Sequence, residues 1–411
     1  MFRASWPGRL DAAILDGDER QALVSVRSLG RAGLHIGAFD GSALTPAFRS
    51  RWCAVARRMP DPADERQYVQ ALFDLISRFH PRVLFMARDG TIEVVRQIRE
   101  ELESERSVLA LAPEPALELA VDKERTLALA NQLGIRTPLS VPLTTAGEAG
   151  AAGRKTGFPA VVKPTRSWSR TGEGGRRLSS VIVTDPEEAY VAADSLIQAG
   201  GRPLLQQFVG GSREAVSLFC VDGRIHARFA QVAHRMLPPL GGSSIVRESI
   251  PLPGDLTEAG EALVTASRLD GYTEIEFRRD LEGAAFLMEI NPRLSASVEV
   301  AVRAGVDFPR LLYAWAAGLP IPTAPTYREG VRMRWLGGDI KWLVTVLRQQ
   351  GRPDVPSPAQ AVSTFARDCC LPYAYDYVTL GDLAPAVVAA SKFTIAPLRR
   401  RYHEYRVRAV R

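Results

Sequence analysis

Between Asp11 and about Pro115 the chain alternates short apolar runs with longer amphipathic stretches, and that alternation leaves few folds open. The apolar runs are AAIL, LHIGAF, RVLFM and VLALA; between them lie RQALVSVRSLGRAG, YVQALFDLISRF and TIEVVRQIREEL. Runs of four to six apolar residues read as buried strands. The intervening segments repeat apolar residues roughly every three to four positions, as a helix with one buried face does. Strands that each hand over to a helix pair in parallel, with the helices covering the faces of the sheet.

Residues 1–116 therefore read as a Rossmann-like α/β domain. Its first turn, LDGDERQ, lacks G-x-G-x-x-G, so an oxidoreductase using this domain has no dinucleotide fingerprint behind it. Asp18, Arg20, Arg88 and Asp89 follow strand ends, where open α/β sheets gather ligands and where helices also take caps. From Leu117 to Leu133, LELAVDKERTLALANQL has the periodicity of one helix, stopped by Gly134 and Pro138. The pattern then changes to α+β. PAVVKP, SSVIV, PLLQQFV, EAVSLFCVDG and RIHARFAQVA read as strands, with helices from about Pro186 to Ala199 and Leu256 to Leu269. This gives a second domain over 117–320, with a small lid over about 139–208. Proline-rich PIPTAPTY then opens a mainly helical carboxy-terminal extension, 321–411, in which WLGGDIKWLVTVLRQQ predicts an amphipathic helix.

A length of 411 residues with 46% apolar content suits two or three domains. The stretch Met1–Leu10 is broken by Trp6, Pro7 and Gly8, and no run approaches the roughly 20 apolar residues of a membrane span, so a cytoplasmic protein is expected. Cys53, Cys220, Cys369 and Cys370 have neither zinc-ligand spacing nor the density of a secreted scaffold, and read as structural thiols. The net charge of +6 is concentrated at one end: Arg399 to Arg411 holds six arginines against one glutamate. The rest of the chain is nearly neutral, so no nucleic-acid partner is expected. The tail reads as a solvated terminus, with contact to an anionic membrane surface as the other reading. There are only five lysines, Lys123, Lys155, Lys163, Lys341 and Lys392.

The chemistry concentrates in EIEFRRDLEGAAFLMEINPRLSAS, Glu274 to Ser297. If EIEFRRD and AAFLMEIN pair across a two-residue Glu282-Gly283 turn, Glu276 lies opposite Glu289. Glu274, Glu276 and Arg278 then share one face, as do Glu289 and Asn291, while Phe286, Met288 and Ile290 take the other. Opposed carboxylates destabilise a sheet unless compensated. A magnesium ion held by Glu276, Glu289 and the amide oxygen of Asn291 would do so, with manganese as a substitute, and Arg293 would offset phosphate charge beyond it. An exposed hairpin whose acids pair with Arg278 and Arg279 is the alternative. Lys163 ends the apolar strand GFPAVVKP, where an ammonium needs an anion. TRSWSRTGEGG follows, with Gly172, Gly174 and Gly175 able to admit phosphates closely. In LLQQFVGGSRE, Gln207, Phe208 and Val209 can offer backbone groups to a purine, and Glu214 can accept from ribose hydroxyls.

In this order the motifs VDKERTLALANQLGIRTP, GFPAVVKPTRS, LLQQFVGGSREAVSLF and EIEFRRD…FLMEINPR resemble the ATP-grasp superfamily. Within it they are similar to the carboxylate-amine ligases and the ATP-binding modules of carbamoyl-phosphate synthases and biotin carboxylases. The resemblance covers roughly Leu117 to Ala317, and the preceding region resembles the family's pre-ATP-grasp domain. It implies that Lys123 and Lys163 hold ATP phosphates and that Gln207 sits near the adenine amine at a position often held by glutamate. It also implies that Phe208 and Val209 supply adenine-binding backbone, that Glu214 binds ribose, that Glu276, Glu289 and Asn291 bind metal, and that Arg293 contacts the transferred phosphate. AHRMLPPLGGSSIVRES, with Gly241 to Ser244 between Arg235 and Arg247, looks like a flexible loop over the acceptor side. His234 reads as packed or exposed rather than as a base, and Ser295 and Ser297 either touch substrate or cap the next helix.

The implied activity is an ADP-forming ligase that activates a small-molecule carboxylate as an acyl phosphate and passes it to an amine, Lys163 and Arg293 serving catalysis. A homodimer is compatible with this. The alternative is a non-catalytic ATP-binding module whose basic tail recruits a membrane or a protein.

Overall fold

The computed structural model describes residues 8–171, 174–239, 242–352 and 355–392. The basic tail, Gly172 and Gly241 lie outside the described residues.

The amino-terminal strands are β1 (Ala12–Ile14), β2 (Ile36–Asp40), β3 (Cys53–Arg58), β4 (Val83–Phe85) and β5 (Val108–Leu109). They form an all-parallel sheet in the order β3-β2-β1-β4-β5. The strand β3 was not anticipated, since CAVARR is only half-buried and too polar for an apolar run. The helix expected over TIEVVRQIREEL is two, Asp89–Gln97 and Arg99–Ser104, parted at Ile98.

The segment expected to act as a lid contains β6 (Ser140–Pro142), β7 (Ala160–Pro164), the hairpin β8 (Trp168–Thr171) and β9 (Gly174–Arg177), β10 (Val181–Val183) and β11 (Pro203–Gln207). Its sheet runs β10-β7-β11-β6, antiparallel throughout. Val162 and Leu205 pack there against Ala189, Ala193 and Leu196 of helix Pro186–Gln198.

The large sheet is built from β12 (Ser212–Val221), β13 (Arg224–Leu237), β14 (Ser243–Ser249), β15 (Gly271–Arg279), β16 (Ala285–Asn291), β17 (Arg332–Arg334) and β18 (Ala374–Tyr375). Its order is β16-β15-β12-β13-β14-β17-β18. One face, with Val216, Leu218, Ile275, Phe277, Leu287 and Ile290, is covered by helix Gly254–Ser267. The other is apolar at one end, where Phe219 and Tyr272 meet helix Phe308–Ala316, and charged at the other, where the candidate site lies. Residues after 320 contribute the helices Leu336–Arg348 and Pro358–Cys369 and also the last two strands at one side of this sheet, β17 and the edge strand β18. Among the described residues no helix is long and apolar enough to cross a membrane.

Candidate active site

The acidic part of the site is set by strand pairing. Glu276 on β15 faces Glu289 on β16, and Glu274 faces Asn291. The anticipated two-residue turn is not what produces this register. Asp280 N donates to Ala284 O, and Gly283 takes φ +87°, so the turn is wider and the strands below it pair one residue out of step. A bulge at Met288 then restores the step. The same bulge changes the faces: Leu287 and Ile290 are in the core, whereas Phe286 and Met288, expected there, are half-buried.

The opposed carboxylates are compensated from within the protein, by Arg213 and Lys123 and not by the Arg279 of the exposed-hairpin alternative, which pairs with Glu214 and Asp255. Arg213 reaches from β12 to form an ion pair with Glu276. Lys123 Nζ stands 3.6 Å from Glu289 Oε2. Asn291 Nδ2 donates to Glu276 Oε1 at 3.0 Å and to Glu289 Oε1 at 3.5 Å. Burial pushes the Glu276 carboxyl up to about 7, Arg213 opposing and Glu289 and Glu274 adding to the shift. Burial acts the same way on Glu289, but Lys123, Lys163 and Arg213 bring that carboxyl below its ordinary value.

The donor set still suits a hard dication. Magnesium is commonly held by one or two carboxylates, with phosphate and water completing its shell. Two carboxylates and an amide match that habit, and among the described residues no group of three or more His, Cys, Asp or Glu forms an all-protein metal cage. The Asn291 amide presents its nitrogen to the acids and has to turn over for its oxygen to ligate.

The expected single helix over Leu117–Leu133 is broken at Asp122 into Ala116–Val121 and Lys123–Gln132. The Asp122 carboxylate caps the second by accepting from Glu124 N and Arg125 N. Lys123 thereby sits at a helix amino terminus, where aligned peptide dipoles favour anions, and its Nζ donates to Ser167 Oγ at 3.2 Å. Lys163 projects from β7, where burial lowers its ammonium to about 8 against the pull of Glu289. Arg293 Nε donates to Asp89 Oδ1 at 2.6 Å. Burial alone would raise the Asp89 carboxyl, but Arg293 holds it below its usual value. One cleft is lined by Asp89, Lys123, Trp168, Glu289, Asn291 and Pro292.

Other expected residues are placed elsewhere. Glu214 lies on the opposite face of β12 from Arg213 and accepts from the Arg279 Nε and Nη2, the same guanidinium bridging to Asp255. It is not in the acidic site; the residue this stretch presents there is Arg213. Gln207 is exposed and its Oε1 accepts from Leu139 N at 3.4 Å. The buried glutamine is Gln206, donating to Ser140 Oγ. Phe208 and Val209 are half-buried in the crossing from lid to large sheet. Arg235 lies in β13, buried against Asp339 and Asp368, and Arg247 in β14, buried against Asp376; part of the expected acceptor-side loop between them lies outside the described residues. His234 is nearly half exposed and pairs with Glu248. Ser295 and Ser297 belong to a buried network with Tyr272, Gln231 and Glu274, and Val298 rather than either serine precedes the next helix. Of the four strand-end residues, Asp89 reaches the site; Asp18 pairs with Lys392, Arg20 with Asp376, and Arg88 with Glu19 and Asp40.

Arg213, Asp89 as partner of Arg293, and Trp168 as a wall of the cleft are what sequence reasoning missed. Strand alternation does separate Arg213 from Glu214, but choosing between them requires knowing that β12 lies beside β15, which adjacent sequence does not show.

Comparison with known proteins agrees with this architecture. Residues 226–338 match the family described as ATP-grasp in the biosynthetic pathway with Ter operon. The chain is 26% identical over 189 residues to the carbamoyl phosphate synthase large chain of Thermomicrobium roseum, covering 44% of this chain and 17% of that one. It is 25% identical over 210 residues to D-alanine–D-alanine ligase B of Pseudomonas putida, covering 48% and 63%. The biotin carboxylase domain dimer of Hydrogenobacter thermophilus 2-oxoglutarate carboxylase superposes with a TM-score of 0.62 at 16% identity, over 79% of this chain and 73% of that one. The fold is the ATP-grasp fold with a preceding α/β domain, and the sequence is similar to members of the ATP-grasp superfamily over these spans. Its likeness within that superfamily runs to carbamoyl-phosphate synthase-like and D-alanine ligase-like proteins, although the match spans less than a fifth of the synthase.

Proposed function

We propose that the protein is an ATP- and magnesium-dependent, ADP-forming ligase that activates a carboxylate as an acyl phosphate for attack by an amine. The observation that carries this is the ring of cations, Lys123, Lys163 and Arg293, around Glu289 and Asn291 at the junction of lid, large sheet and amino-terminal domain. In this reading Lys123 and Lys163 hold the triphosphate and Arg293, oriented by Asp89, offsets charge on the phosphoryl group as it moves. Glu276, Glu289 and the Asn291 oxygen hold magnesium, which supplies further charge neutralisation when bound. Phe208 and Val209 offer backbone groups to adenine, with Gln207 at its edge. The structural neighbour from Hydrogenobacter binds Mg-ADP and bicarbonate as a dimer, which supports the nucleotide, the metal and a homodimer here.

The test is phosphate release from ATP and magnesium across pairs of carboxylates and amines. Lys163→Ala and Glu289→Ala are expected to abolish ATP consumption while circular dichroism stays that of the wild type. Full turnover by either variant would remove the phosphate and metal roles. Nucleotide binding with no ADP from any pair would instead favour a non-catalytic module.

A further inference from the structure

Arg213 touches both the acidic seat and the connection leading into β14. One nitrogen of its guanidinium pairs with Glu276, and Nη1 donates to Gly242 O at 2.9 Å. The side chain is only 14% exposed. This guanidinium, paired with Glu276, offsets the carboxylate facing Glu289.

We propose that Arg213 is an internal counter-cation that competes with the metal for Glu276, so that loading a dication displaces the guanidinium and also frees the Gly242 carbonyl. This rests on the metal role assigned above. The reason is Coulombic. A dication drawing on Glu276 would face a guanidinium already at hydrogen-bond distance from that carboxylate, and like charges so close repel strongly where water is scarce. Asn291 is set the same way: its amide nitrogen, not its oxygen, faces both acids, which is the arrangement of a seat already neutralised by protein groups. Because the fork of Arg213 is rigid and planar, a shift away from Glu276 cannot leave the Gly242 bond unchanged. Metal occupancy is thereby coupled to the entry of β14, through a residue that acts on the metal ligand and not on the substrate.

Manganese binding to the full chain without nucleotide, read from the paramagnetic resonance of the free ion, tests this apart from turnover. Arg213→Met is expected to bind Mn2+ at least about tenfold more tightly than the wild type. Added guanidinium chloride, but not sodium chloride at the same ionic strength, should weaken Mn2+ binding in that variant back toward the wild type. Arg213→Lys, which keeps the charge but cannot fork between Glu276 and Gly242, should fall between the two. It also serves as the readout should the methionine variant fail to fold. Equal or weaker Mn2+ binding in folded Arg213→Met, a lysine variant that binds as tightly as the methionine one, or no Mn2+ binding by any of them would overturn the proposal. Failure of the ligase reading shows differently, as absence of ADP with every carboxylate and amine pair whatever Mn2+ does.

Discussion

Lys163 shows how a single charge is tuned by its setting. An ammonium leaving water for a strand end loses hydration, and two other cations nearby, Lys123 and Arg278, add to the loss, while Glu289 and Glu276 only partly restore it. The folded chain therefore holds this proton less tightly than the unfolded chain, where the ordinary value is 10.5. The sign follows: folding stability gains as pH rises from about 8 toward 10.5, because over that window the unfolded state binds more protons. Without nucleotide, an amine-reactive acylating reagent should modify Lys163 with a midpoint near pH 8, well below that of an ordinary lysine. Peptide mapping in Lys163→Ala should lose this early-reacting amine. A midpoint near 10 in the wild type would show the side chain to be solvated. The lysine itself was legible at the end of an apolar strand. The anions that face it were not, because Glu276 and Glu289 lie more than a hundred residues away in the chain.

At the scale of elements, two local irregularities place the chemistry. The break at Asp122 converts what periodicity shows as one helix into two, and puts Lys123 at an amino terminus. Hydrophobic spacing cannot reveal such a break, since both pieces keep apolar faces in phase; the aspartate before the lysine is its only local sign. Asp122→Ala removes the cap and should cost about 1 kcal/mol in urea unfolding while weakening nucleotide binding, as measured by calorimetry. Nucleotide affinity equal to the wild type would separate the cap from the site. The second irregularity is the lid hairpin. The Trp168 ring lies so close to Gly90 that a Cβ there would be 2.6 Å from it, and Gly175 N donates to Ala63 O. Arg170 adds an ion pair with Glu65, so β8 and β9 are fastened to the amino-terminal domain. If the lid keeps water from a reactive acyl phosphate, Trp168→Ala should raise phosphate release measured without an amine by several-fold relative to the amine-dependent rate. An unchanged ratio would show that the indole seals nothing.

At the scale of the molecule, buried ion pairs tie the carboxy-terminal segment to both earlier domains. Arg27 of helix Arg20–Arg31 bonds Asp382 at 2.8 Å and Tyr377 O, and Asp382 also accepts from Ser50 Oγ and Arg51 N. Asp376 accepts from Arg20 in the same helix and from Arg247 of the large sheet. Removing one partner of such a pair strands the other without water, so Asp382→Ala should lower stability by about 3–5 kcal/mol, seen as a lower urea midpoint, with bound nucleotide restoring part of it. A change below about 1 kcal/mol, the range of surface pairs, would mean the contact is solvated. The amino acid sequence by itself determined the layered α/β character of the first domain and the β-rich second domain, because these depend on local periodicity of two or three to four residues; the expected facing of Glu276 with Glu289 is reached only through the wider turn and the bulge at Met288. Only tertiary structure decided that Arg213 rather than Glu214 enters the site, that Asp89 holds Arg293 from 204 residues away, and that the last segment completes the large sheet. Strand order, bulges and buried charge pairs are set by packing and desolvation between segments far apart in the chain, and no repeating pattern along it records them.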